Sequence, residues 1–291
     1  MAVYGALEAG GTKMVLARFT EVGEMTDRVS IPTETPGETM PRMIEYFKAH
    51  PVDALGIACF GPVSLNPNSE NYGSITTTPK TAWRDYPIMT AFRDALGIPV
   101  MIDTDVNAAA LAEGLLGAGK GKSVVLYVTV GTGIGVGILI DQKPLHGLMH
   151  PEFGHILLTP SADDPAPDGF CPYHKHCLEG LASGPALLKR WGVMGQCLSP
   201  DHPAWKLEAH YLAQMCHNAL TAFSPEVIIL GGGVMGNKAL FPAIRRETAG
   251  LLNNYIGVPA VTDGLESVIV PPALEPDSGI IGAYLLAKQA M

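Results

Sequence analysis

Residues 3–19 read VYGALEAGGTKMVLARF and residues 127–139 read YVTVGTGIGVGIL. Each is an apolar strand entering a glycine-rich turn, with a second apolar strand leaving it. Glycines in such a turn let backbone N–H groups approach an anion closely. The first is not a Walker loop, because Gly11 stands where Lys is required and a strand follows where a helix is required. One hairpin alone does not establish phosphate binding. Two with the same layout indicate a duplicated domain, each copy giving one hairpin to grip a polyphosphate across a central cleft. The uncharged run 124–140 is shorter than a membrane span and interrupted by glycines, so it reads as strand–turn–strand in a buried sheet.

Between the hairpins, helix and strand alternate, which implies a sheet with helices packed on it. Met40, Met43, Ile44 and Phe47 share one helical face. Residues 52–60 form a strand ending at Gly61-Pro62, and 66–83 form a loop rich in Asn, Ser, Thr and Pro. Ile88, Phe92 and Ala95 mark a second helix, and 98–102 a further strand. Next come Asp103-Thr104-Asp105-Val106-Asn107 and the helix AAALAEGLL. An Asp at such a junction can cap the helix, or it can aim a carboxylate into a cleft at the strand's C-terminal end. Later, 201–223 reads as a long helix, and 227–230 as a buried strand followed by Gly231-Gly232-Gly233. That triple glycine suits a tight turn or close approach by a ligand. Helices at 238–253 and 279–289 flank a strand at 268–271.

The chain has 291 residues, 47% of them hydrophobic, enough for two domains with large cores. A net charge of −9 with no dense Lys/Arg cluster argues against a nucleic-acid partner. The five cysteines suit a reducing cytoplasm better than a disulfide scaffold. No signal peptide or membrane segment is expected.

Residues 150–186 read HPEFGHILLTPSADDPAPDGFCPYHKHCLEGLASGPA. His155 followed by Cys171-x-x-His174-x-x-Cys177 has the composition of a tetrahedral zinc site. With four protein ligands no position is left for water, so the metal is expected to be structural. His176 is an alternative to His174, and His146 and His150 are further candidates. Glu152, His155 and Glu179 are interleaved with these ligands.

Taken together, these residues resemble the ROK family of bacterial sugar kinases and repressors, over nearly the whole chain and most closely its fructokinase branch. The family's first phosphate motif is similar to Glu8-Ala9-Gly10-Gly11-Thr12-Lys13, and its catalytic motif to Asp105-Val106-Asn107. Its second phosphate loop resembles Gly131-Thr132-Gly133-Ile134-Gly135, and its sugar motif Glu152-Phe153-Gly154-His155. Glu179 matches a further sugar-contacting Glu, and Gly231, Gly232 and Gly233 an adenosine-side turn. Glu8 in place of Asp, Thr104 in place of Asn, and His174 among the zinc cysteines depart from the common pattern and look like the fructokinase branch.

The resemblance implies a two-lobed α/β fold of the actin-like ATPase (ribonuclease H-like) type with a catalytic cleft. The N-terminal lobe would be 1–118. The C-terminal lobe would be 119–272, with the zinc segment at 150–180, and 273–291 would pack back on the first lobe. The implied activity is ATP-dependent phosphorylation of a hexose 6-hydroxyl, most closely that of fructose, with Asp105 as base. The helix start favours its charged form. Gly10, Gly11, Thr12, Lys13, Gly131, Thr132, Gly133 and the triple glycine would bind ATP. Mg²⁺ would bridge the phosphates, with Glu8 nearby or reaching it through water. Asn107, Glu152, His155 and Glu179 would bind sugar, and His155 could serve zinc and sugar with its two ring nitrogens. A homodimer is also implied. Glucokinase, mannokinase, N-acyl-hexosamine kinase and a sugar-sensing regulator are the alternatives. The regulator fits least, since the first phosphate motif lies close to Met1.

Overall fold

The structure, a computed structural model, describes residues 1–291. It contains two five-stranded sheets, and the chain divides into two compact units. The first comprises Met1–Leu115, Lys143–Pro151 and Leu274–Met291; the second comprises Leu116–Gln142 and Glu152–Ala273.

In the first unit β1 (Val3–Ala9) and β2 (Lys13–Thr20) form the first hairpin, in register from Val3↔Thr20 to Ala9↔Met14. An edge strand, β3 (Met25–Pro32), extends it, and α1 (Pro36–Ala49) follows. Strand β4 (Ala54–Cys59) pairs in parallel with β1. Helix α2 (Ile88–Leu96) leads to β5 (Val100–Thr104), parallel to β4, and then directly to α3 (Asp105–Leu116). The sheet order is β3-β2-β1-β4-β5.

The second sheet repeats this plan. β6 (Val124–Val130) and β7 (Ile134–Ile140) form the second hairpin, and β8 (Lys143–Pro144) lies beside β7. Short α4 (Leu178–Ala182) and α5 (Gly184–Trp191) precede the long α6 (Pro203–Phe223). Strand β9 (Val227–Gly231) runs parallel to β6, α7 (Leu240–Leu252) packs on α6, and α8 (Pro259–Thr262) is one turn. Strand β10 (Ile269–Val270) closes the sheet, and α9 (Ser278–Gln289) ends the chain in the first unit. The second order, β8-β7-β6-β9-β10, matches the first strand for strand.

Burial on both sheet faces explains the nearly continuous apolar runs of the central strands. In the first unit one face packs Leu7, Met14, Leu16 and Ile57 against Met43, Phe47 and Phe92. The opposite face packs Ala6, Val15, Ala17 and Phe19 against Ala108, Leu111, Ile280 and Tyr284 from α3 and α9. Residues alternating along β1 and β2 therefore serve opposite cores.

Small residues let α9 sit unusually close. A Cβ on Gly282 would lie 2.0 Å from the Ala108 carbonyl oxygen, and one on Gly56 would lie 1.9 Å from that of Ala283. Gly282→Val should thus destabilise the protein by about 3 kcal/mol or more through overpacking. Gly37→Ala, in the first turn of α1 with open space around it, should be neutral or slightly stabilising. Thermal unfolding of the two variants checks this, and equal midpoints would contradict the packing argument.

Candidate active site and metal centre

The β5–α3 junction sorts its two aspartates by environment. Asp103 is buried, and its Oδ1 accepts from the Thr104 amide at 2.7 Å and from Asn107 Nδ2 at 2.8 Å. The Thr104 hydroxyl accepts the Asn107 amide at 3.1 Å, so Thr104 makes the helix-capping bond. Asp105, the first residue of α3, is only half-buried, and it accepts the Val106 amide at 2.9 Å. It faces Cys59 at the end of β4. Burial first, and the Asp105 charge second, push that thiol well above its ordinary range.

The turn after β1 exposes Gly11, Thr12 and Lys13. It is closed by Gly10 donating to the Lys13 carbonyl at 3.0 Å, and Thr33 Oγ1 donates to the Gly10 carbonyl at 2.8 Å. Glu8, near the end of β1, feels the charge of Lys13 and packs against α9. A Cβ on Gly279, in the first turn of α9, would be 2.5 Å from its Oε1, and burial raises its pKa.

In the second unit Gly131 donates to the Gly133 carbonyl at 2.9 Å, and Gly184 donates to the Gly131 carbonyl at 2.8 Å. This ties the turn to the start of α5. A cavity of about 750 Å³ opens there, lined by Gly131 and Thr132, by Gly184 and Leu188 of α5, by Trp205 of α6 and by Gly233. Its size suits a drug- or nucleotide-sized ligand. The triple glycine divides. Gly233 lines the cavity, whereas Gly231 fits under Pro272 and the Tyr127 hydroxyl, and Gly232 has a φ of +90° against the Val130 backbone. Gly133 leaves room for the Glu179 carboxylate. Trp205 and Leu188 gave no sequence signal, since nothing local distinguishes them from core residues.

The metal set converges. The ligand atoms of His155, Cys171, His174 and Cys177 all lie within 4.8 Å of one another. Cys177 Sγ is 3.5 Å from His155 Nδ1, and Cys171 Sγ is 3.9 and 3.8 Å from Nδ1 of His155 and His174. Four-coordinate zinc with its usual bond lengths separates sulfur and nitrogen by about 3.6 Å, so this donor set fits that ion. Burial pushes the Cys177 thiol up to about 11. A cation at the centre of the set is what makes such thiols ionise. His176 is outside the set. His146 and His150 belong to the first unit: His146 pairs with Asp103, and His150 Nε2 accepts the Val63 amide at 3.2 Å.

Two anchors hold the metal loop. Buried Asp164 takes Arg190 Nε at 2.8 Å and the Tyr211 hydroxyl at 2.6 Å. Glu179 Oε2 accepts the Ile134 amide at 3.0 Å, joining α4 to β7. Glu152 faces Glu179. Burial first, then that neighbouring charge, raises its pKa to about 7, so it is present in both protonation states near neutrality. His155 meets the metal set through Nδ1, which leaves Nε2 for another partner. The first unit thus offers a half-buried carboxylate at a helix start and one glycine turn; the second offers a glycine turn, a nucleotide-sized cavity and a His/Cys cluster flanked by two carboxylates.

Comparison with known proteins identifies the family. The fructokinase of Pediococcus pentosaceus is 46% identical over 287 residues, spanning 99% of this chain and 98% of its own. The fructokinase of Zymomonas mobilis is 44% identical over 298, spanning 99% and 97%. The crystal structure of a ROK hexokinase from Thermus thermophilus is similar with a TM-score of 0.79 at 28% identity, covering 99% of this chain and 98% of that one. Residues 4–290 match the ROK family, and the chain belongs to it.

Proposed function

We propose that this protein is an ATP-dependent fructokinase that transfers the γ-phosphoryl group to the 6-hydroxyl of fructose. Two fructokinases at 44–46% identity over almost the full chain carry the choice of sugar. Asp105 carries the chemistry. It accepts the hydroxyl proton as the sugar oxygen attacks phosphorus and ADP departs. Phosphoryl transfer depends mainly on positioning and electrostatics, so an ordinary carboxylate at a helix start is an adequate base. Asp103 is unsuited, because its lone pairs are occupied and it is shut from solvent.

The turns Gly10–Lys13 and Gly131–Gly133 offer backbone N–H groups to the phosphates, and the cavity beside Trp205 takes the adenosine. Mg²⁺ bound with the nucleotide would supply charge neutralisation at the phosphates. Glu8, near Lys13 and packed against Gly279, would lie near that ion or reach it through water. Asn107, Glu152, His155 and Glu179 bind sugar hydroxyls. His155, Cys171, His174 and Cys177 would hold zinc, which would fix the segment carrying Glu152, His155 and Glu179. Five cysteines, two of them proposed to hold zinc and none in a disulfide, suit the cytoplasm, and no helix is long and apolar enough to cross a membrane. The assembly we propose is a homodimer, for which exposed Leu251, Tyr255 and Val258 supply apolar surface.

Asp105→Asn keeps the shape and removes the basicity. Turnover with fructose and ATP should fall by roughly 10²- to 10⁴-fold, with sugar affinity less affected. Asp103→Asn should keep most of its turnover at saturating fructose. A third of wild-type turnover in the first variant with none in the second would overturn the assignment. A panel of sugars with coupled ATP turnover tests fructose against glucose, mannose and N-acyl-hexosamines.

Elemental analysis should find about one zinc per chain. Cys171→Ser should lose both the metal and fructose affinity. Less than a tenth of an equivalent, with full activity after chelation, excludes the metal role.

A further inference from the structure

Segment 143–151 belongs to the first unit although the residues flanking it belong to the second. It brings His146 to the β5–α3 junction. His146 Nε2 lies 3.0 Å from Asp103 Oδ2 and 3.4 Å from Asn107 Nδ2. The Asp103 side chain is only 4% exposed, while that of His146 is 39% exposed. Every strong contact of Asp103 is therefore accounted for: Oδ1 takes the Thr104 amide and Asn107, and Oδ2 takes the imidazole. Asn107 Oδ1, by contrast, is buried without a hydrogen-bond partner. A buried amide oxygen left open is costly unless a donor arrives. An imidazole held by one nitrogen, with its ring half-exposed beside that oxygen, is well placed to act on the same incoming molecule.

We infer that His146 is a sugar-binding residue and Asp103 its positioning residue. His146 donates to one hexose hydroxyl, and Asn107 Oδ1 accepts from the next. This rests on the fructokinase reading and assigns the Asp103–His146 pair to recognition of the sugar, leaving proton acceptance to Asp105. The pairing explains why an aspartate that is no base is buried two residues before the one that is. Its charge fixes the imidazole's tautomer and orientation, as carboxylates do behind functional histidines.

The electrostatics agree. The hydrogen bond from Asp103 raises the His146 pKa above its ordinary value, against the opposing effect of burial. The groups facing the pair are His150, whose own pKa is lowered chiefly by burial, and Tyr72, raised by burial and then by the Asp103 charge. Imidazolium therefore persists above pH 6.5 and is lost as the pH rises through the folded value. Sugar affinity should weaken along that alkaline limb.

The test is steady-state kinetics with fructose and ATP on His146→Gln and Asp103→Asn, with zinc content and unfolding midpoint as controls. His146→Gln should raise the KM for fructose about tenfold or more. The KM for ATP should stay within about twofold, and kcat within about threefold. Its KM should also lose the alkaline limb seen in the wild type, and Asp103→Asn should move that limb to lower pH. A fructose KM within about twofold of wild type, or an unchanged pH profile, overturns the inference. Should His146→Gln not fold, ¹⁵N-histidine spectra of the unaltered protein decide. Adding fructose without ATP must shift the His146 ring resonances, and no shift overturns the inference. Wild-type protein that fails to phosphorylate fructose would instead refute the activity proposed above, a separately visible outcome.

Discussion

The peptide groups of a single residue, Ile134, hold the second unit's functional parts together. Its N–H donates to the Glu179 carboxylate at 3.0 Å, and its carbonyl oxygen packs where a Cβ on Gly154 would lie 1.8 Å away. The first contact ties the strand leaving the glycine turn to α4, directly after Cys177. The second brings the Glu152–His155 segment onto the same strand. The turn, the metal loop and the carboxylates thus share one backbone position, and side chains at Gly133 and Gly154 are excluded by the same geometry. A backbone hydrogen bond to a carboxylate is charge-assisted, and a buried strand end offers no water to replace it.

This arrangement is also why the His/Cys cluster would be more than a staple. A loop as long as 156–177 has many conformations to lose on ordering. The Cys/His set, the buried Asp164–Arg190 pair and the Glu179–Ile134 bond restrain it at three places. The sheet does not depend on these restraints, because β6, β7 and β9 are held by their own ladders.

The two hairpins were legible in the sequence because each is a local pattern, apolar alternation around glycines. The metal set was legible for the same reason, its spacing being short. Its ambiguous member, His174 or His176, turned on Lys175, whose φ of +53° sends its two neighbours in different directions. Sequence periodicity does not report such a turn. Strand β3 escaped notice because MTDRVSIP alternates exposed and half-buried positions at a sheet edge and has no apolar run. The strand before Asp103 was expected at 98–102 but runs from Val100 to Thr104, which puts Asp105 at the helix start itself. Trp205, Leu188 and His146 reach their places only through tertiary packing, so no local spacing could name them.

The matching sheet orders make the division of labour between the units interpretable. Strand β5 and its counterpart β10 occupy the same place in their sheets. After β5 the chain enters α3 at once, and that junction carries Asp103, Asp105 and Asn107. After β10 come Pro271 and Pro272, and the chain runs on to α9 with no helix beginning at the strand's end. The second copy therefore has no helix start at this place to hold a base. Its counterpart of β4, strand β9, ends instead in Gly231–Gly233, where the first copy has Gly61-Pro62. Glycine there opens a wall of the 750 Å³ cavity that a proline turn would not leave free. One strand order thus carries two different strand ends. The first copy kept the helix start that suits an ionised carboxylate, and the second kept the flexible backbone that suits a bulky ligand.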